Sequence, residues 1–194
     1  MKQNIIILSA GGHSKSILDV IEATKKFKKI YFLDNKKAGK KIFQYSIFKE
    51  SKHKELKKKT QNIFIGLGMI KDLKKREFLF QKYKKKGFNF PKIISPYAYV
   101  SKRAKIGHGT VIMHGAIVNS GSVIGENCII NSKALIEHDC KIEDNCHIST
   151  GSIVNGHSSI GRNSFIGSNS TISNNIKIKK YSFIKLGSVV KKDI

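Results

Sequence analysis

From Val100 onward an aliphatic side chain returns at every sixth position. Each is valine or isoleucine: Val100, Ile106, Ile112, Val118, Ile124, Ile130, Ile136, Ile142 and so on through Ile184 to Val190. Four residues after each member stands a small side chain, from Ala104, Thr110 and Ala116 to Ser182 and Ser188, with Ile176 and Ile194 as exceptions. A period of six is neither the 3.6 of an amphipathic helix nor the 2 of a half-buried strand. It requires a short strand and a turn in every unit, and units of that size bury their apolar side only by stacking. With three units to a coil, residues eighteen apart lie above one another. The Val/Ile column then fills a triangular prism of about five coils.

The first third of the chain follows another pattern. Residues 4–8 form an apolar run that predicts a buried strand. A loop of Ser9, Ala10, Gly11, Gly12, His13, Ser14 and Lys15 follows, and helical spacing then continues to about Thr24. A second apolar run, 30–33, ends at Asp34, and a third, 63–65, ends at Gly66 and Gly68 before a lysine-rich helix. The order βαβαβ predicts an α/β, Rossmann-like unit. The expected division is 1–92 for this unit and 93–194 for the prism.

Composition adds a formal charge of +24, nearly all of it lysine in runs such as residues 57–59 and 84–86. Charge of this size attracts polyanions, but no aromatic-basic recognition motif accompanies it, so no nucleic-acid partner is expected. The field suits steering of a phosphorylated substrate. The first eight residues are too short an apolar run for a signal-peptide core or a membrane span, so a cytoplasmic protein without an integral membrane segment is expected. The three cysteines, Cys128, Cys140 and Cys146, all fall in the small-residue phase of the repeat. They are read as compact corner fillers, neither disulfide-bonded nor metal-binding.

Two places carry candidate chemistry. Glycines after the first strand let a ligand approach the backbone, and the helix N-terminus behind them offers N–H groups to a phosphate. Asp34 is positioned to accept from a ribose hydroxyl. Two glycines alone equally fit an unliganded turn. The dinucleotide fingerprint is absent, since Ser9 and Ser14 stand at its first and third glycine places. The second place is His138, flanked by Glu137 and Asp139. His108 and His114 share its phase but are followed by glycine. One coil to either side of His138 lie Ser120 and Gly156, small enough to leave the imidazole open.

A small βαβαβ unit with Ala10-Gly11-Gly12-His13, followed by a hexapeptide prism with Ile136-Glu137-His138-Asp139, resembles the sialic acid O-acetyltransferase-like family. That family includes the bacterial sugar-nucleotide N-acetyltransferases. Phe32-Leu33-Asp34, Ile65-Gly66-Leu67-Gly68, Ile129-Ile130-Asn131 and His147-Ile148 extend the likeness over essentially the whole chain. The resemblance implies a left-handed parallel β-helix, with the handedness coming from the likeness and not from the periodicity. It also implies a homotrimer with acetyl-CoA as co-substrate between prisms and no metal.

It implies direct acetyl transfer with His138 as general base, its ring oriented by Asp139 or Glu137. It assigns His147 and Gly156 to acetyl-CoA, with the Gly156 N–H as an oxyanion donor, and Ser168 and Leu186 to the lining of the groove. The nucleotide-sugar pocket maps to Gly12, His13, Ser14, Asp34, Asn35 and Gly66, where Ser9 departs from the family's usual glycine. Relatives continue beyond the position of Ile194 into a proline-containing tail that helps cover the cofactor, so reduced CoA affinity or a shortened chain is the expectation.

The activity so implied is N-acetylation of a UDP-linked 4-amino sugar. O-acetylation of sialic acid or a related glycan sugar uses the same chemistry on a hydroxyl. A non-catalytic trimeric scaffold is the alternative of another class. Metal-dependent hydration would need three histidines meeting at a subunit interface, and His138-Asp139 fits acyl transfer better.

Overall fold

The computed structural model describes residues 3–69 and 73–194. The chain divides into two compact units, Met1–Gly68 with Phe78–Pro91, and Met69–Glu77 with Lys92–Ile194. The segment Met69–Glu77 thus groups with the prism, a detail that a single break near residue 92 does not contain.

The first unit is built on β1 (Gln3–Leu8), α1 (Gly12–Ala23), β2 (Phe27–Leu33), β3 (Lys41–Ile42), β4 (Tyr45–Phe48), α2 (His53–Lys57), β5 (Ile63–Ile65) and α3 (Leu73–Lys85), whose last turns belong here. The sheet order is β3-β4-β2-β1-β5, parallel except that β3 runs antiparallel to β4. The interior strand β1 is covered on both faces, which is why it reads as an unbroken apolar run; Ile5, Ile6 and Ile7 are fully buried. From α1, Ile17, Leu18, Val20 and Ile21 are buried. The expected βαβαβ order is present, with the β3–β4 hairpin added. Its turn passes through Phe43 at φ 50°, with none of the Gly, Asn or Pro residues that mark such turns.

In the second unit two-residue strands form three parallel sheets of six, five and six strands. Val118 pairs with Val100 on one side and Ile136 on the other, so one coil is eighteen residues. The register begins one unit earlier than Val100, with Ile93–Ile94 pairing to Val111 and Ile112. Nearly every Val/Ile of the column from Ile112 to Val190 is buried in one core.

The small phase does more than fit. Six hydroxyls there, of Thr110, Ser122, Ser152, Ser158, Ser164 and Ser170, donate to the carbonyl fifteen residues on, as in Thr110 Oγ1 to Gly125 O at 2.7 Å, Ser158 Oγ to Ser173 O at 2.7 Å and Ser170 Oγ to Lys185 O at 2.8 Å, whereas Ser182 Oγ turns back to Lys179 O. The thiols take the same role: Cys128 Sγ lies 3.1 Å from Glu143 O, Cys140 Sγ 3.2 Å from Asn155 O and Cys146 Sγ 3.2 Å from Gly161 O. Buried and unbridged, they are structural. Burial pushes the Cys140 thiol up to about 11, far from the reactive thiolate form.

The corners impose a further rule. From Gly109 to Gly187, every sixth residue has a positive φ. Five of these corners carry glycine and five asparagine, the residues that take the left-handed region most readily. The remaining corners are Lys133, Asp139, His157 and Tyr181.

Candidate active site

His138 and Asp139 occupy one such corner, following the strand Leu135–Ile136. Both are half-exposed, and His138 Nδ1 lies 3.0 Å from Asp139 Oδ2. The left-handed backbone at Asp139, φ 57°, turns its carboxylate toward the ring of the residue before it. Glu137 instead uses Oε2 to accept the main-chain N–H of His138 at 3.2 Å. Of the two carboxylates, Asp139 is the one in contact with the imidazole.

Two glycines make this arrangement possible. A Cβ at Gly156 would stand 2.8 Å from both Cε1 and Nε2 of His138, and one at Gly121 would stand 2.1 Å from Asp139 Oδ1. The ring thus lies over the bare backbone of Gly156 one coil on, and the carboxylate leans over Gly121 one coil back. Nδ1 thus faces Asp139, and Nε2 is the ring nitrogen that lies over Gly156. His157, on the next corner of the same column, packs its ring edge-on to His138 at 5.1 Å between centroids.

His147 has quite different surroundings. It is buried, with Nδ1 2.8 Å from Met69 O and Nε2 3.2 Å from Asn131 Nδ2, and its ring stands edge-on to Phe165. Burial, opposed by the Met69 carbonyl and helped by the nearby Arg76 charge, lowers its pKa to about 4. Within one protomer it does not meet His138. Ser168 and Leu186 share a third corner: Ser168 Oγ is 2.9 Å from Ser149 Oγ, and Leu186 is exposed.

In the first unit the loop at residues 9–11 joins β1 to α1. Ser9 takes φ 81°, a conformation for which glycine is the default. Ser14 is fully buried and its hydroxyl bridges Ser9 O at 3.0 Å and Gly66 O at 2.9 Å. A Cβ at Gly66 would lie 2.5 Å from that hydroxyl, so these two residues lock the strand ends together beneath the loop. Asp34 Oδ2 accepts the N–H of Ala10 at 2.9 Å, and its Oδ1 accepts that of Lys36 at 2.9 Å. Asn35 Oδ1 accepts from Glu50 N–H. Gly12 and His13 open α1, which has no side-chain cap and no acidic residue in its first turn, the Asp34 carboxylate being held at Ala10 just before it. Of the expected pocket residues, Gly12, His13 and Asp34 line the loop while Ser14 and Gly66 support it from below.

Three residues escape the sequence reading. Lys37 donates from Nζ to Ala10 O at 2.8 Å, bringing a cation to the glycine loop. His157 stands beside the His138-Asp139 pair; one coil's spacing from Asp139 was the signal for it. Arg76 is fully buried in the prism unit, with Nε 3.1 Å from Asn127 O, and burial lowers its guanidinium to about 9. Nothing in this lysine-rich helix marks that one basic residue as interior.

Two family models match the chain: the PglD N-terminal domain over residues 4–83, and the bacterial transferase hexapeptide (six repeats) over residues 121–156. A search of curated proteins gives no match. Among solved structures, a histidine-to-asparagine variant of perosamine N-acetyltransferase from Caulobacter crescentus, in complex with CoA and GDP-perosamine, superposes with a TM-score of 0.93 at 25% identity. It covers 98% of this chain and 90% of its own. The acetyltransferase domain of PglB from Neisseria gonorrhoeae in complex with acetyl coenzyme A gives 0.92 at 27% identity, covering 100% and 93%. WeeI from Acinetobacter baumannii, at 0.68 and 16% identity, shares the fold. With a Rossmann-like unit before a left-handed β-helix of hexapeptide repeats, the chain belongs to the hexapeptide-repeat sugar acetyltransferases.

Proposed function

We propose that the protein transfers the acetyl group of acetyl-CoA to the amino group of a nucleotide-linked 4-amino sugar, with His138 as general base. One observation carries this reading: His138 is anchored at Nδ1 by Asp139, 3.0 Å away, while Nε2 lies over a glycine that leaves it uncovered. Nε2 takes the proton from the attacking nitrogen as the C–N bond forms. The carbonyl's developing negative charge is met by the Gly156 N–H. As the C–S bond breaks, His138 returns the proton to the departing CoA thiolate, and Asp139 stabilises the imidazolium in between. No covalent enzyme intermediate is needed.

The acceptor's nucleotide is assigned to the loop at residues 9–11, where the uncapped N-terminus of α1 and the Lys37 ammonium favour phosphate. The perosamine enzyme's complex with GDP-perosamine supports an amino-sugar acceptor, and makes GDP a nucleotide to test beside UDP. A homotrimer is supported by one face of the prism. Its outward row is Tyr99, Ile117, Leu135, Ile153, Thr171 and Val189, with Tyr99 60% and Val189 64% exposed, whereas a second face presents Lys105, Lys141 and Lys177. The His138 corner borders that apolar row on one side and the Ser168–Leu186 corner on the other, so a neighbouring prism packed there would bring the two corners toward each other. Among the described residues no helix is long and apolar enough to cross a membrane, and CoA and nucleotide sugars as co-substrates favour a cytoplasmic reaction.

The test is loss of acetyl-CoA thioester in the presence of UDP- and GDP-linked 4-amino sugars, comparing wild type with His138→Ala. Turnover that drops by about 10²- to 10⁴-fold in the variant is expected. Full turnover by the variant overturns the assignment of the base.

A further inference from the structure

The corner column that carries Asp139 holds a second imidazole that the acetyl transfer does not use. Asp139 and His157 are one coil apart, both in the left-handed region, with φ 57° and 58°. Main-chain pairing fixes the stack, since His157 N–H donates to His138 O at 3.1 Å and Asp139 N–H to Ser120 O at 3.0 Å. The Asp139 carboxylate therefore lies between two rings: Oδ2 is 3.0 Å from His138 Nδ1 and 3.9 Å from His157 Nε2. One donor atom from each of the three residues lies within 4.8 Å of the others. Directly above, Asn175 fills the next corner, and directly below, Gly121 presents no side chain. The adjoining corners of the column are thus uncharged, and Glu137 has its Oε2 engaged with the His138 main chain.

We propose that His138, Asp139 and His157 form a binding site for a first-row divalent cation of the zinc type, and that its occupation blocks acetyl transfer. Two imidazoles and one carboxylate are a donor set suited to zinc, copper or nickel. Tetrahedral zinc with ligands at about 2.0–2.1 Å needs donor-to-donor edges of about 3.4 Å. The edges at 3.0 and 3.9 Å straddle that value. Closing them requires only small rotations of side chains that are 51%, 51% and 58% exposed, and their open side leaves the fourth position to water. A cation there takes the Nδ1 of the base and the carboxylate that orients it, so the ring no longer has the tautomer or the position that proton transfer needs. The inhibition rests on the His138 assignment above; the binding does not.

Zinc itself is the probe, titrated into the full chain against a colorimetric zinc indicator in a non-chelating buffer. The comparison is wild type against His157→Asn, a substitution that places at this corner the residue found at five others. One zinc per chain in the wild type, weakened about 10- to 100-fold in His157→Asn, is expected. The same zinc concentration suppresses wild-type thioester loss, chelator restores it, and His157→Asn turns over normally and resists zinc. No zinc uptake by the wild type, or equal uptake and equal inhibition in both proteins, overturns the proposal. If His138→Ala keeps its turnover, the base assignment falls while the zinc titration still decides the site. If that variant is inactive yet the wild type binds no zinc, the base assignment stands alone.

Discussion

The sharpest perturbation is a single methyl group at Gly156. An ideal Cβ there lies 2.8 Å from Cε1 and Nε2 of His138 and 3.4 Å from Asn174 Nδ2. Carbon contacts settle at about 3.5–4.0 Å, so the imidazole must retreat by roughly 1 Å. Gly156 is not among the glycines with positive φ, so alanine meets no backbone strain. What it displaces is the far end of a half-exposed side chain, which swings outward and gives up its 3.0 Å contact with Asp139. The fold should barely register the change, within about 0.5 kcal/mol. Turnover should register it strongly, because a misplacement of about 1 Å in a catalytic group costs on the order of 10²-fold, or about 2.7 kcal/mol of barrier. The Gly156 N–H survives in alanine, so the loss reports on the ring and not on an oxyanion donor. The assay pairs thermal unfolding with kcat measured by thioester loss. Unchanged kcat at unchanged Tm would refute a role for the ring's seat over Gly156, and a large fall in Tm would make the close approach structural.

Asp139→Asn keeps a residue suited to the left-handed corner while removing the charge, so stability should hold and kcat should fall by about 10- to 100-fold; a kcat equal to wild type removes Asp139 as the orienting group. His147 supplies a pH test. Its folded pKa of about 4 lies below the ordinary 6.5, chiefly through burial. The unfolded chain therefore binds a proton in that window that the native ring refuses. The contribution is complete above about pH 6.5 and is lost as pH falls toward 4, by up to about 3 kcal/mol. Urea unfolding at pH 7.5 and 4.5 should show a smaller difference for His147→Asn than for wild type. In the ladder of the small phase, Ser158→Ala leaves the Ile176 N–H without the hydroxyl that accepts it at 3.1 Å and should cost about 1–3 kcal/mol by chemical denaturation. Ser158→Cys, which keeps a donor, should cost less.

Much of this molecule is written in its period. The Val/Ile column and the small phase specify the prism because every unit repeats one local solution, and a repeat is read without knowledge of distant contacts. The small phase also told where the cysteines go, although not that hydroxyl and thiol serve one hydrogen-bond ladder. Asparagine was less legible: in a chain rich in lysine and isoleucine it passes for compositional drift, yet Asn127, Asn145, Asn163, Asn169 and Asn175 all stand where φ is positive. The β3–β4 hairpin was invisible because its turn uses Phe43 and its first strand has two residues. The burial of Arg76 and His147 was equally illegible, since burial of a polar side chain depends on what packs over it and leaves no periodic trace.

The corners set one histidine apart from the others that share its phase. His108, His114 and His138 occupy the same phase of the repeat, each just before a residue with positive φ. At Gly109 and Gly115 that residue has no side chain, so neither ring has a carboxylate from the corner to hold it. His114 instead pairs through Nδ1 with Ser95 Oγ at 2.7 Å and packs against Tyr97. At position 139 an aspartate accepts the left-handed conformation at a small cost, and that conformation turns its carboxylate onto the preceding ring. Glycine at 156 then clears the other side of the imidazole. The proposed base thus owes its setting to two corners of a regular scaffold, one carrying a carboxylate and one lacking a side chain, with the eighteen-residue coil bringing them into register.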